Sequence, residues 1–123
     1  MSAVAKQAGL ALLVLFGSRA RRQARPDSDW DFGFLVRPGG SVDVEGLRLH
    51  VSEILRSDDI DLVDLARASA LLRFRVAAEG SLIHEAAPDL FRSFKIDTAT
   101  FWCDVEPVLR IAYARVLKGV GAR

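Results

Sequence analysis

Two aspartates, Asp29 and Asp31, lie two positions apart in the stretch DWDFGFLVR, residues 29–37. In a β-strand, side chains two positions apart point to the same face, so the two carboxylates would stand side by side. Like charges at that separation repel each other, and a bound cation relieves the repulsion. Mg²⁺ binds carboxylate oxygens and leaves positions for phosphate oxygens. Taken alone, the pair fits equally well an exposed edge strand whose charges prevent aggregation.

A Gly-Ser pair, Gly17 and Ser18, precedes these aspartates by ten residues and follows an apolar run. We expect a short helix at residues 18–24, with Ser18 able to cap it. Glycine permits close backbone approach, and a helix N-terminus offers free N–H groups, so such a turn can hold phosphate. The combination is far more specific than either motif alone. It predicts a phosphate-binding turn beside a metal-binding strand.

A third carboxylate is expected from DDIDLVDL, residues 58–65. Asp61 is the preferred candidate because Ile60 and Leu62 flank it in what reads as a buried strand. An aspartate buried in a strand without a function would be costly. Asp64, which would face the opposite side of the strand, is the alternative.

The elements that must position these residues follow from the spacing of apolar side chains. Trp30, Phe32, Phe34 and Val36 alternate with the aspartates, so we expect them to pack in the core rather than to stack on a base. The order predicts an α/β (α+β) domain, in which helices flank a small mixed sheet. We expect one domain over residues 1–123, with a core at about 10–85 and a C-terminal helical region at about 88–121. The predicted segments are a helix or frayed end at 2–9, strands at 11–16, 29–37 and 59–65, a turn at 25–28, helices at 43–56 and 66–80, a strand or extended segment at 81–85, and helical spacing from about 98 to 118.

The composition limits the classes of function. Half of the 123 residues are hydrophobic and the net charge is +1, so nothing attracts the chain generally to nucleic acid or to an anionic membrane. We therefore expect no direct nucleic-acid binding. The apolar run at 10–16 is too short to cross a membrane. A single cysteine, Cys103, allows no internal disulfide, which favours a reducing compartment and a cytoplasmic location.

The pattern Gly17-Ser18, ten residues, Asp29-Trp30-Asp31 and then IDLVDL resembles the minimal nucleotidyltransferase (MNT) family of the DNA-polymerase-β-like superfamily. The resemblance runs from about Leu10 to at least Glu85. It implies the nucleotidyltransferase fold and transfer of a nucleoside monophosphate from an NTP, usually ATP, to a hydroxyl. Many members are antitoxins that add AMP to a tyrosine of a HEPN ribonuclease toxin. The resemblance thus implies a HEPN toxin as partner, and a hetero-oligomer with it.

The resemblance also implies roles for individual residues. Gly17 and Ser18 would hold the triphosphate. Asp29, Asp31 and Asp61 would bind two Mg²⁺, and Asp61 would also help to deprotonate the attacking hydroxyl. These roles agree with the needs of nucleotidyl transfer, which are in-line geometry and positive charge at the developing anionic oxygens.

Four arginines surround the proposed phosphate turn: Arg19, Arg21, Arg22 and Arg25. Guanidinium groups match phosphate geometry, and we assign Arg19 and Arg22, three positions apart, to nucleotide binding. A solvated surface is the alternative, and we expect it to hold for at least two of the four. The RFR stretch at 73–75 is either surface charge on a helix or part of a partner-binding surface.

Two other functions compete with this reading. The chain is alternatively a non-catalytic antitoxin that neutralises the toxin by binding it. A second alternative is nucleotidyl transfer to a small-molecule hydroxyl, such as that of an aminoglycoside. The chain is short for that task, because no second domain is evident that would enclose a drug-sized acceptor.

Overall fold

The structure, a computed structural model, describes residues 9–22, 28–105, 111 and 114–115. Four strands form one mixed sheet in the order β3-β2-β1-β4. β1 runs antiparallel to β2 and β4, whereas β2 and β3 are parallel. A parallel pair needs a crossover connection, which α1 provides. The predicted α+β fold with a mixed sheet is confirmed. The elements are β1 (Leu10–Phe16), β2 (Trp30–Val36), α1 (Val44–Leu55), β3 (Ile60–Asp64), α2 (Ala70–Glu79), β4 (Ser81–Glu85) and α3 (Leu90–Val105).

One face of the sheet packs against α1. Phe32 and Phe34 of β2 are buried there with Leu47 and Val51 of α1, as the alternation in the sequence predicts. Trp30 lies at the edge of this cluster and is partly buried. The carboxylate of Asp43 caps α1 by accepting a hydrogen bond from the Gly46 N–H at 3.1 Å. This face is a closed apolar core.

The other face packs against α2 and α3. Its buried cluster combines strand residues with the two helices and comprises Leu12, Val14, Leu65, Val76, Phe91 and Phe94. Gly33 of β2 lies on this face, where an added Cβ would come within 2.7 Å of the Leu65 side chain. Phe74 of α2 stacks on Trp102 of α3 with ring centroids 5.1 Å apart. The two helices are therefore fixed to the sheet and to each other.

The predicted helix at 18–24 is wrong for the residues described. Residues 18–22 form hydrogen-bonded turns, in which the Arg21 N–H donates to the Gly17 carbonyl at 3.1 Å and the Arg22 N–H to the Arg19 carbonyl at 3.3 Å. Arg22 has a φ of 58°, a left-handed conformation that an α-helix cannot continue through. Residues 23–27, which hold most of the turn predicted at 25–28, lie outside the described part of the chain, as does the segment 2–8.

The last helix begins earlier than the spacing from about residue 98 indicates. α3 starts at Leu90, because Phe91 and Phe94 already pack against the sheet. Residues 111 and 114–115 are also helical, and Pro107 lies outside the described residues. Across the described ranges, no helix is long and apolar enough to span a membrane.

Candidate active site

Asp31 and Asp61 are brought together by the parallel pairing of β2 and β3. Their Cα atoms are register partners, so both side chains leave the sheet on the same face. The pairing is fixed on both sides by backbone hydrogen bonds, from the Trp30 N–H to the Asp59 carbonyl at 2.8 Å and from the Leu65 N–H to the Phe34 carbonyl at 3.0 Å. Two carboxylates that are thirty positions apart in sequence are thus neighbours on a rigid scaffold.

Gly17 approaches the same point from the end of β1. It has a φ of 76°, which favours glycine, and a Cβ at this position would collide with Oδ2 of Asp31. Phe16, directly before it, is the register partner of Asp31. The positive φ of the turn therefore favours glycine, and a side chain here would also displace the carboxylate of Asp31.

The pKa of Asp31 is raised above the ordinary aspartate value. Burial is the main cause, and the negative charges of Asp61 and Asp29 add to it, while Arg21 acts in the opposite direction. Asp29 itself is exposed, directly before β2. The two-residue spacing thus places the first acid within electrostatic reach of the second. The three predicted acids form one electrostatic group with Asp31 at its centre.

Asp61 and Asp64 have different surroundings. Asp64 accepts a hydrogen bond from the Ala66 N–H at 3.0 Å and lies 3.8 Å from Nε of Arg67, so it stabilises the turn after β3. Asp61 faces the cavity that contains Asp31. Its side chain is exposed, so the argument that a buried aspartate needs a function does not apply to it. Its register with Asp31 is the stronger reason to prefer Asp61 as the third acid.

A cavity of about 260 Å³ opens between the sheet and α2 at this point. Its floor is formed by the end of β1 and by the strands that carry the two acids. Its wall is one face of α2, on which residues three and four positions apart line up. The lining residues are Phe16, Gly17, Arg21, Asp31, Asp61, Val63, Leu72, Arg75 and Glu79.

Three of these lining residues, Arg21, Arg75 and Glu79, were not assigned to the site from the sequence. Nη1 of Arg21 lies 2.9 Å from Oε2 of Glu79, and both side chains are partly buried. This ion pair attaches the turn after β1 to the C-terminal end of α2. The signal in the sequence was the spacing of Leu72, Arg75 and Glu79, which places two charges on an otherwise apolar helix face.

Arg19 and Arg22, the two arginines predicted to bind nucleotide, lie elsewhere. Nη2 of Arg19 donates to the Ser28 carbonyl at 2.9 Å, and its guanidinium lies 4.3 Å from the centroid of the Trp30 ring. Arg22 is exposed and does not line the cavity. Their contact with phosphate stays a prediction, as does that of Ser18. Among the described residues 17–22, Arg21 is the arginine that lines the cavity with the acids.

The donor set suits a hard cation that arrives with phosphate. In the described part of the chain, no three His, Cys, Asp or Glu side chains are gathered closely enough to hold a metal by themselves. Mg²⁺ rarely uses such a cage; it is usually held by one or two carboxylates together with substrate phosphates and water. The adjacent carboxylates of Asp31 and Asp61, with the raised pKa of Asp31, fit that mode of binding.

Comparison with known proteins defines the class. Residues 2–89 match the family "Polymerase beta, Nucleotidyltransferase", and this chain belongs to that family. The fold described above is consistent with a nucleotidyltransferase domain.

One curated relative is particularly similar. The chain is 34% identical over 97 residues to a protein adenylyltransferase, MntA, from Aphanizomenon flos-aquae (strain 2012/KM1/D3). The match covers 70% of this chain and 64% of that protein, so it spans a little under two thirds of the relative.

Solved structures share the fold. A toxin–antitoxin complex with AMP-PNP matches with a TM-score of 0.66 and 25% identity, over 89% of this chain and 87% of the matched chain. A complex of tri-AMPylated Shewanella oneidensis HEPN toxin with MNT antitoxin matches with a TM-score of 0.58 and 24% identity, over 89% and 84% of the two chains. At that lower identity the likeness concerns the fold alone.

Proposed function

We propose that this chain is a Mg²⁺-dependent protein adenylyltransferase that moves AMP from ATP onto a tyrosine hydroxyl of a HEPN ribonuclease toxin, and so acts as its antitoxin. The observation that carries the proposal is the pairing of Asp31 with Asp61 beside Gly17, in a chain 34% identical to a protein adenylyltransferase. A hetero-oligomer with the toxin and a cytoplasmic location, where ATP is available, belong to the same proposal.

The residues of the site support a single displacement at phosphorus. The acceptor oxygen attacks the α-phosphorus of ATP, the bond from that phosphorus to the bridging oxygen breaks, and pyrophosphate leaves with the electron pair. Asp61 is open to solvent and faces the cavity, so its carboxylate can take the proton of the acceptor hydroxyl. Gly17 leaves room for phosphate because it has no side chain at the mouth of the cavity.

Asp29, Asp31 and Asp61 are the residues that would hold two Mg²⁺. When bound, the ions would neutralise charge on the phosphates and on the leaving pyrophosphate. Asp31 supports this assignment because burial and then the charges of Asp61 and Asp29 raise its pKa, and a bound cation would stabilise its carboxylate against both.

The test is transfer to a defined acceptor. The purified chain is incubated with Mg²⁺, each NTP in turn and the product of the neighbouring gene, and the proteins are weighed by intact mass spectrometry. We expect the partner to gain the mass of one or more AMP groups with ATP, and peptide mapping to place the adduct on a tyrosine.

Two variants and one control complete the test. Asp29→Ala and Asp31→Ala are expected to abolish the adduct, whereas Asp43→Ala, which removes a carboxylate that caps α1 on the other face, should retain it. Full neutralisation of the toxin by the Asp29 and Asp31 variants without any adduct would instead identify a binding antitoxin. Modification of an aminoglycoside but of no protein would identify a small-molecule enzyme.

A further inference from the structure

Arg21 and Arg75 line the same cavity but have different surroundings. Arg21 is paired with Glu79 at 2.9 Å. The side chain of Arg75 is exposed and makes no hydrogen bond, ion pair or ring contact with any residue in the described ranges. Among the lining residues that the structure describes, Arg75 is therefore the cation that is available to a ligand.

The position of Glu79 explains why Arg21 has an ion-pair partner and Arg75 has none among the described residues. Glu79 is four residues after Arg75 on α2, a spacing at which opposite charges on a helix commonly pair. Its carboxylate instead binds Arg21, which is 58 positions away in sequence. The nearest acid on the same helix face thus fastens the turn after β1, and the Arg75 side chain has no ion-pair partner among the described residues.

The charges around the cavity then divide into two parts. The charges of Arg21 and Glu79 offset each other, so the other charged residues in the described lining are Asp31 and Asp61 on the sheet and Arg75 on the opposite wall. A nucleotide with Mg²⁺ has the complementary division, since its cations suit the carboxylates and its phosphate oxygens suit a guanidinium. The exposed Arg75 side chain is long and flexible, so its guanidinium can adjust to a ligand bound between the sheet and α2.

We propose that Arg75 binds the phosphate chain of the nucleotide and stabilises the pyrophosphate as it leaves, while Arg21 positions the Gly17 turn through Glu79. The proposal rests on the proposed nucleotidyl transfer and deepens it by naming the residue that receives the leaving group. This proposal gives a role to Arg75, the last residue of the RFR stretch at 73–75.

The test separates phosphate contact from a general effect on the fold. Binding of AMP-PNP with Mg²⁺ is measured by calorimetry for the wild type, Arg75→Ala and Arg75→Lys, together with competition by inorganic pyrophosphate and by adenosine. We expect Arg75→Ala to weaken AMP-PNP and pyrophosphate by about tenfold or more, because a charge-assisted hydrogen bond is lost, and to leave adenosine unchanged. Arg75→Lys should recover part of the affinity.

Arg92→Ala is the matched control. Arg92 is an exposed arginine on α3 that does not line this cavity, so its removal should leave all three affinities unchanged. Thermal unfolding of each variant checks the fold, and an exposed helix residue should change it little. Equal binding by wild type and Arg75→Ala overturns the inference, as does an equal loss for adenosine. Failure of the wild type to bind AMP-PNP overturns the proposed function instead.

Discussion

The two faces of the sheet are built from alternate residues of the same strands, yet they have opposite properties. On the α1 face, Phe32 and Phe34 are buried in an apolar cluster without charge. On the α2 face, Asp31, which directly precedes Phe32 in the sequence, lines an open cavity with another acid. Strand alternation therefore lets one short segment supply stability on one side and a charged site on the other. Substitutions on the α1 face should lower stability, whereas substitutions of the acids on the α2 face should lower activity and leave the protein folded.

We expect the largest effect from Phe32→Ala on the α1 face, as a loss in the free energy of unfolding. Phe32 is 1% exposed, and truncation of a buried phenylalanine costs about 3–5 kcal/mol, a large part of the stability of a small domain. Urea unfolding followed by circular dichroism measures the loss. Asp31→Ala, the neighbour on the other face, should remain fully folded; a similar destabilisation by both would contradict the division between the faces.

The next largest effect is on the rate of AMP transfer, and it distinguishes Asp61 from Asp64 as the third acid. Asp61→Asn should reduce AMP transfer by about 100-fold or more, as is typical when a group that acts in the transition state is removed. Stability should hardly change, because Asp61 is exposed. Initial rates of adduct formation give the comparison.

Asp64→Asn serves as the control for Asp61, since its carboxylate stabilises a turn and does not line the cavity. Its transfer rate should stay within a few-fold of the wild type. A larger loss of activity from Asp64→Asn than from Asp61→Asn would exchange their roles.

A smaller effect is expected from Gly17→Ala. A side chain at a φ of 76° costs about 1–2 kcal/mol, and here it would also displace the carboxylate of Asp31. Displacement of a catalytic group by about 1 Å can lower the rate by 10- to 100-fold. The transfer rate and the free energy of unfolding are measured on the same samples.

Gly39→Ala is matched to Gly17→Ala in backbone conformation. Gly39 has a φ of 72° in a loop, and an added Cβ would meet no atom within 4 Å. It should lose similar stability but no activity. An equal loss of activity in both variants would show that the close approach of Gly17 to Asp31 does not determine the transfer rate.

The smallest effect is on stability as a function of pH. The raised pKa of Asp31 means that the folded chain binds this proton more tightly than the unfolded chain does. The free energy of unfolding therefore falls as pH rises from the ordinary aspartate value of 3.8 through the raised value, and the penalty is complete above it. Asp31→Asn, which cannot ionise, should be the more stable protein at neutral pH in metal-free buffer.

Urea unfolding of both proteins across a pH series measures this difference. The advantage of Asp31→Asn should shrink as the pH falls toward 3.8 and should diminish when Mg²⁺ and nucleotide are added. A variant that is less stable at every pH would show that the Asp31 carboxylate is held by favourable contacts.

Much of the fold was predictable because it depends on local periodicity. The alternation in residues 29–37 indicated correctly which side of β2 is buried, and the family assignment from the Gly-Ser and D-x-D motifs is confirmed. Spacing also anticipated that the charge of Asp29 acts on Asp31. These features need only the geometry of one strand, which the sequence pattern reports directly.

The directions of the arginine side chains were not predictable, because they do not depend on local periodicity. In the turn at 17–22, the direction of each side chain follows from backbone angles at Gly17 and Arg22 and not from a repeat. The use of Glu79 by Arg21 depends on how α2 docks on the sheet. The spacing within α2 puts Arg75 and Glu79 on one helix face, but it does not report that this face docks beside the acids.

The parallel pairing of β2 with β3 also affects the order in which the protein becomes competent. β1 and β2 are consecutive antiparallel strands, so Gly17 and Asp31 meet through a relatively local contact, whereas Asp61 arrives only after α1 has crossed over. Pulsed hydrogen exchange during refolding should thus protect β3 no earlier than β1. A chain in which β3 has not docked would hold the glycine turn with Asp29 and Asp31 but would lack Asp61. Under the proposed function, activity itself therefore reports that β3 has docked.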